Sequence, residues 1–341
     1  MEAIVSKLNV DKIDRDYSID FTKGILVLAM IIYHSLNYSK TNSLFDNYLH
    51  FIGSGFIFMA GFLITNINRD KYKQETRTLY TKLILRGLKL AALFTILNIL
   101  INLAVKQNYG DRLMGINIFI ENAFSIFIKG NGKIAAFEIL LSIGYLFLLS
   151  PLLLLGINKT KYFILIIAIV LTLICVVMPA FNIYSSNLVD ITYGIFGMMF
   201  GQIPNQLIRS FFKRRQRFIV FFIIVYIAFA PFLKLPFFLF VLLSTLSTLS
   251  LFYLIGNVIN KNGPLMFHIG RLGRYSLFAY IIQIAILQAV LRFSSSIFNQ
   301  RPPFYIALLS TFILTVLSVI LLDFWKKRSG LVGIIYKTIF A

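Results

Sequence analysis

Three ionisable side chains interrupt one apolar stretch, IDFTKGILVLAMIIYHSLNY at residues 19–38: Asp20, Lys23 and His34. Lys23 and His34 are eleven residues apart. At about 100° per residue that is close to three helical turns, so both lie on one face, about 16 Å apart along the axis. Asp20 joins that face one turn before Lys23, with which, or with Arg86, it can pair. Inserting a charged group into a bilayer costs about 2.5–3.5 kcal/mol on translocon scales. A stripe of such groups therefore reads as a path from one membrane side toward the middle. Histidine titrates closest to neutral pH, which suits it to general-base or nucleophilic work. The plainer alternative for His34 is a core imidazole bonded to a nearby carbonyl.

The elements that must position these residues are membrane helices. The chain has 341 residues, of which 58% are hydrophobic, and its mean hydropathy is +0.82. No soluble core of that size hides so much apolar side chain, so the expectation is an all-α polytopic membrane protein. About ten stretches are long enough to span: 20–38, 48–67, 83–104, 134–156, 162–180, 188–204, 218–233, 235–258, 274–292 and 304–325. Pro231 and Pro236 leave open whether the seventh and eighth are one broken helix.

The net charge of +20 is scattered in short clusters between apolar runs, which argues against nucleic acid as a partner. The clusters orient the spans instead. With the N-terminus cytoplasmic, inner segments hold 22 of the 33 Lys and Arg, outer segments hold 8, and Lys23, Arg86 and Lys89 fall inside spans. That asymmetry is the positive-inside pattern, with both termini cytoplasmic and the protein in the cell membrane. The expected organisation is a cytoplasmic leader at 1–19, a membrane domain at 20–325 and a cytoplasmic tail at 326–341. Within the long outer loop, 105–133, Met114 to Ile128 reads as an interfacial or re-entrant helix. The end of the tail reads as a short interfacial helix.

Other residues could take part in chemistry. Lys82, Arg86 and Lys89 recur at i, i+4 and i+7 and share a face; they could hold phosphates or snorkel to lipid headgroups. Arg271 and Arg274 could face the same ligand or anchor topology, and the run Lys213, Arg214, Arg215 and Arg217 reads as an anchor. Glu138 and Asp190 sit at the outer ends of their spans, where either could orient His34. His50, at an outer boundary, is a second candidate base. Ser276, Tyr280 and Gln283 form a polar stripe that could line a substrate path or bond between helices. Cys175 is the single cysteine, and no Cys/His spacing marks a metal site.

Three stretches carry a family resemblance. RDYSIDFTKGILVLAMIIYHS at 15–35 resembles the first helix of the acyltransferase-3 family of integral membrane acyltransferases, whose signature is a basic residue, ten residues and a histidine. Lys23 stands where that family more often has Arg, which keeps the charge and loses the bidentate fork. GFIFMAGFLIT at 55–65 is similar to the second helix of the family, with Ala60 in place of Ser. GRLGRYSLFAYIIQ at 270–283 is similar to a late helix, with Gln283 in place of His. Related glucan-modifying and heparan-type N-acetyltransferase-like membrane proteins share much of this pattern. The resemblance implies transfer of an acyl group, most simply acetyl, from cytoplasmic acyl-CoA to a hydroxyl of a cell-envelope glycan or glycolipid. His34 would be the catalytic residue, partnered by Glu138 or Asp190. Lys23, Arg86, Lys89 and Arg274 would hold the acetyl-CoA donor, Ser276, Tyr280 and Gln283 would line the substrate path, and no metal is expected. Buried charges also suit a secondary transporter or a lipid-linked-sugar flippase, but no two pseudo-symmetric halves are visible. A noncatalytic membrane scaffold would tolerate the Lys23–His34 stripe without needing it.

Overall fold

The computed structural model describes residues 16–39, 49–68, 75–104, 115–130, 135–160, 162–229, 235–259, 261–298 and 302–340. Most of the expected leader, parts of the 105–133 loop and the Pro231–Lys234 break lie outside the described residues. Helices run in the order α1 (Tyr17–Ser39), α2 (Phe51–Leu63), α3 (Thr76–Ala104), α4 (Ile116–Glu121), α5 (Ala123–Lys129), α6 (Glu138–Lys159) and α7 (Phe163–Val177). Then come α8 (Ser186–Phe200), α9 (Asn205–Phe229), α10 (Phe237–Val258), α11 (Pro264–Arg274), α12 (Ser276–Phe298), α13 (Phe304–Arg328) and α14 (Gly330–Phe340). No strand occurs among the described residues.

Among the described residues, seven helices are long and apolar enough to cross a membrane: α1, α3, α6, α7, α10, α12 and α13. The other three stretches expected to span fold as α2, α8 and α9. The first two have only 13 and 15 residues, and the first half of α9 carries the polybasic run. Helices α2 and α8 press backbone against backbone. A Cβ on Gly61 would collide with the Gly194 carbonyl, and one on Gly197 with the Phe58 carbonyl. Such small-residue contacts let membrane helices approach closely.

The proline ambiguity resolves into two helices packed against each other. The Tyr226 hydroxyl of α9 lies 2.6 Å from the Ser244 hydroxyl of α10 and 3.2 Å from the Phe240 carbonyl. Pro151 sits inside α6, where its missing N–H would strand the carbonyl four residues back. Ser150 supplies the bond instead, donating to the Phe147 carbonyl at 2.7 Å.

Helix α1 is the hub of one half of the bundle, with α2, α10, α11, α12 and α13 packed on it. In the other half α3 lies along α6, and α8 bridges α2, α6 and α7. The end of the bundle where α1 begins is called the Tyr17 end. There, Arg209 of α9 and Tyr253 of α10 both donate to Asp16, at 3.1 and 3.0 Å. At the opposite end two short helices cap the bundle, α4 against α3 and α5 over α6 and α8. The hydroxyl of Tyr145 and the amide of Asn187 donate to the Phe127 carbonyl at 2.8 and 2.9 Å.

Candidate active site

Asp20, Lys23 and His34 all lie on helix α1. Lys23 and Asp20 form an ion pair at 3.1 Å, with both side chains largely buried. One turn on, Val27 is fully buried in a cluster with Leu272, Tyr275, Ala279 and Val319. That packing turns the stripe toward α11, α12 and α13. His34 stands two turns beyond Val27, about 10 Å along the axis, and is half-buried.

Helix α11 sets the position of the lower stripe. A Cβ on Gly273 would collide with the Asp20 carbonyl, and one on Gly24 with the Ile269 carbonyl. The two helices therefore cross in backbone contact just where the Asp20–Lys23 pair sits. The segment 260–274 reads from sequence as a charged inner loop. It folds as a helix because Pro264 opens it, and Met266, Ile269, Leu272 and Gly273 make a buried face.

Beside α11 lies a charged knot that sequence reasoning missed. Asp323 of α13 accepts from the Tyr275 hydroxyl at 2.8 Å and from Lys327 at 2.9 Å, and pairs with Arg271 at 3.4 Å. Its one local signal was the i, i+4 spacing to Lys327. Arg274, next to this knot, is exposed at the Tyr17 end.

Arg86 lies with its guanidinium 4.9 Å from the centre of the Phe147 ring. Its side chain is exposed. Burial raises the pKa of Tyr336 on the tail helix α14, and the charge of Arg86 opposes that rise. Lys82 and Lys89, which share the stripe with Arg86 on α3, are exposed.

The upper part of the α12 stripe is buried. Tyr280 meets the Phe137 ring edge-on at 5.8 Å and the Phe56 ring at 6.4 Å. Gln283 is 1% exposed, and neither of its amide atoms has a hydrogen-bond partner among the described residues. Ser276, nearer the Tyr17 end, is half-buried. Gln283 is one turn above Ala279 on α12, and Thr315 is one turn above Val319 on the antiparallel α13. Thr315 and Thr311 are fully buried with unpartnered hydroxyls among the described residues. By register, these groups and His34 rise above one common apolar floor.

Glu138 opens α6, directly after Phe137, whose backbone is left-handed at φ 59°. A phenylalanine rarely adopts that conformation. Asn98 holds it by bracketing Ala136, accepting from its N–H at 2.7 Å and donating to its carbonyl at 2.8 Å. The strained turn places the Phe137 ring against Tyr280 and starts α6 with Glu138. Asp190 lies on α8. It accepts from Ser142 at 3.0 Å, and Ser142 also lies 3.2 Å from the Asn187 side-chain oxygen, within the network that pins α5. His50 precedes α2 and stacks edge-on with Phe237 at 5.3 Å. Cys175 is buried, 3.5 Å from the Thr192 hydroxyl. No group of three metal-ligating side chains occurs among the described residues.

A family model described as an acyltransferase domain matches residues 16–323, from the start of α1 to Asp323. No curated protein and no solved structure matches the chain.

Proposed function

The chain belongs to the acyltransferase-3 family and is a membrane acyltransferase, and from that premise we propose that it moves an acetyl group from cytoplasmic acetyl-CoA to a hydroxyl of a cell-envelope glycan or glycolipid. The observation that carries this reading is the single face of α1. It bears an ion-paired Lys23 and, about three turns on, His34, with Val27 between them packed against α11–α13. Acyl transfer across a membrane needs a donor site near one side and a base deeper in, on one continuous path.

In this reading the Tyr17 end faces the cytoplasm and admits the donor. Lys23, Arg86, Lys89 and Arg274 attract and hold its phosphates. The neutral imidazole of His34 takes the proton of the acceptor hydroxyl as that oxygen attacks the thioester carbonyl. The carbon–sulfur bond breaks, the acetyl group stays on the acceptor oxygen, and the departing thiolate takes the proton back from the imidazolium. Glu138, at the same end of the bundle as His34, orients the imidazole. Asp190, held by Ser142, shapes the roof under α5. Ser276, Tyr280 and Gln283 line the acceptor path.

The test uses purified protein in nanodiscs with radiolabelled acetyl-CoA. Wild type should bind donor and hydrolyse it slowly. Arg86→Ala should lose binding, and His34→Ala should keep binding and lose hydrolysis. Full hydrolysis in a well-folded His34→Ala protein would sink this mechanism. A well-folded wild type that binds no acetyl-CoA, yet moves a lipid-linked sugar across liposomes, would favour the flippase reading.

A further inference from the structure

One feature that the proposed chemistry leaves unused is a cavity of about 970 Å³ at the Tyr17 end. It opens between α9 and the body of the bundle, against α1, α2, α8 and α10. Ile19 and Thr22 contribute the α1 wall. That flank faces away from α11, because Asp20 and Gly24, which touch α11, point to the other side of the helix. None of Lys23, Arg86, Lys89 or Arg274 lines it. The cavity is therefore distinct from the donor path proposed above.

Its lining is divided in a particular way. Most of the wall is aliphatic or aromatic, with Phe58, Phe62, Phe211 and Leu249 among its residues. The strong charges on it are Arg214 and Arg215, and no carboxylate lines it. Neither arginine has an ion pair among the described residues. Arg209, earlier on the same helix, is by contrast held by Asp16 at 3.1 Å. Tyr253 shares that carboxylate and packs its ring at a tilt against Phe212, 5.0 Å between centres, which fixes the near end of α9 to α10. Farther along, Tyr226 fixes α9 to α10 again. The helix is thus fastened at two points to α10, with apolar space left beside it and two unneutralised guanidinium groups at the rim.

We propose that this cavity binds an anionic phospholipid from the leaflet at the Tyr17 end, with the phosphate on Arg214 and Arg215 and an acyl chain along the Phe58–Leu249 wall. Apolar walls with a few charged groups at the mouth suit an amphiphile rather than a polar solute. Juxtamembrane basic residues attract anionic headgroups, and paired guanidinium groups suit phosphate oxygens. An acetyl-CoA molecule is a poor match, because its polar nucleotide would meet phenylalanine and leucine over most of the surface.

Native mass spectrometry of the full chain in alkyl maltoside, titrated with phosphatidylglycerol, tests the proposal. Wild type should retain one phosphatidylglycerol and should hold phosphatidylcholine more weakly. Inorganic phosphate should not displace the lipid. Arg214→Gln with Arg215→Gln should weaken retention about tenfold or more. The pair Lys213→Gln with Arg217→Gln removes the same charge from residues that do not line the cavity, and should retain lipid as wild type does. Ser250→Trp places an indole in the cavity without changing charge and should weaken retention. Equal loss in both double variants would overturn the proposal, as would unchanged retention in Ser250→Trp. Displacement of the lipid by acetyl-CoA would overturn it too, and would assign the cavity to the donor.

Discussion

The Tyr275 hydroxyl donates to Asp323 at 2.8 Å, joining the start of α12 to the end of α13 beside the face of α1 that carries Lys23. The same carboxylate is the counter-charge of Arg271, whose side chain is 12% exposed. Removing the carboxylate leaves a nearly buried guanidinium without its partner, which costs about 3 kcal/mol. Asp323→Ala should therefore lower the thermal midpoint of the purified protein strongly. Tyr275→Phe removes one neutral donor and should cost about 1 kcal/mol. Lys327→Ala should change little, because that ammonium is 69% exposed. Thermal unfolding of the three variants in one detergent checks the order. An equal drop for Lys327→Ala would mean that the knot is held from its surface.

The crossing of α1 and α11 admits a sharper comparison. Gly273 and Gly270 share one helix. A Cβ on Gly273 meets the Asp20 carbonyl, whereas one on Gly270 meets nothing within 4 Å. Backbone cannot yield as a side-chain tip can, so Gly273→Ala should cost about 1–3 kcal/mol. It should also displace the Lys23–Asp20 pair. Gly270→Ala should be neutral or slightly stabilising, since alanine favours a helix. Donor affinity and thermal midpoint measured together should both fall for Gly273→Ala and hold for Gly270→Ala.

The α1 face was legible because charge in an apolar helix is rare and the 3.6-residue period assigns it a side. Helix α11 was not, because its basic residues read as a loop on one side of the membrane, and its buried face appears only with α1 beside it. The tie of Asp323 to Tyr275 spans 48 residues and leaves no local pattern. Nor does the left-handed turn at Phe137, which depends on Asn98 from another helix. Asp190 drew attention as a carboxylate near a membrane boundary. Its engagement by Ser142 depends on how α6 meets α8, which spacing within either helix does not determine.

If His34 is the base, replacing it removes the proton acceptor. General-base catalysis contributes about 10²–10⁴-fold. His34→Gln should lose that much in kcat while donor binding holds. Pre-steady-state acetyl transfer with parallel donor-binding measurements checks both. A variant that transfers acetyl at the wild-type rate would assign the base to another group.

Gln283 separates stability from function. Its side chain is 1% exposed, with both amide atoms unpartnered among the described residues, on the level where Thr315 and His34 rise above the apolar floor. A buried amide left unsatisfied costs about 1–3 kcal/mol. Met is close in shape and lacks the polar group, so Gln283→Met should raise the thermal midpoint. A group retained at that expense serves the chemistry or the acceptor, because functional sites are where local rules are broken. The same variant should therefore transfer acetyl more slowly, with the larger effect on KM for the acceptor and donor binding intact. A variant that is more stable and fully active would remove Gln283 from the acceptor path and leave it as an interhelical residue. A variant less stable than wild type would show that the amide is satisfied by a neighbour in the folded protein, and a role in packing would then account for it.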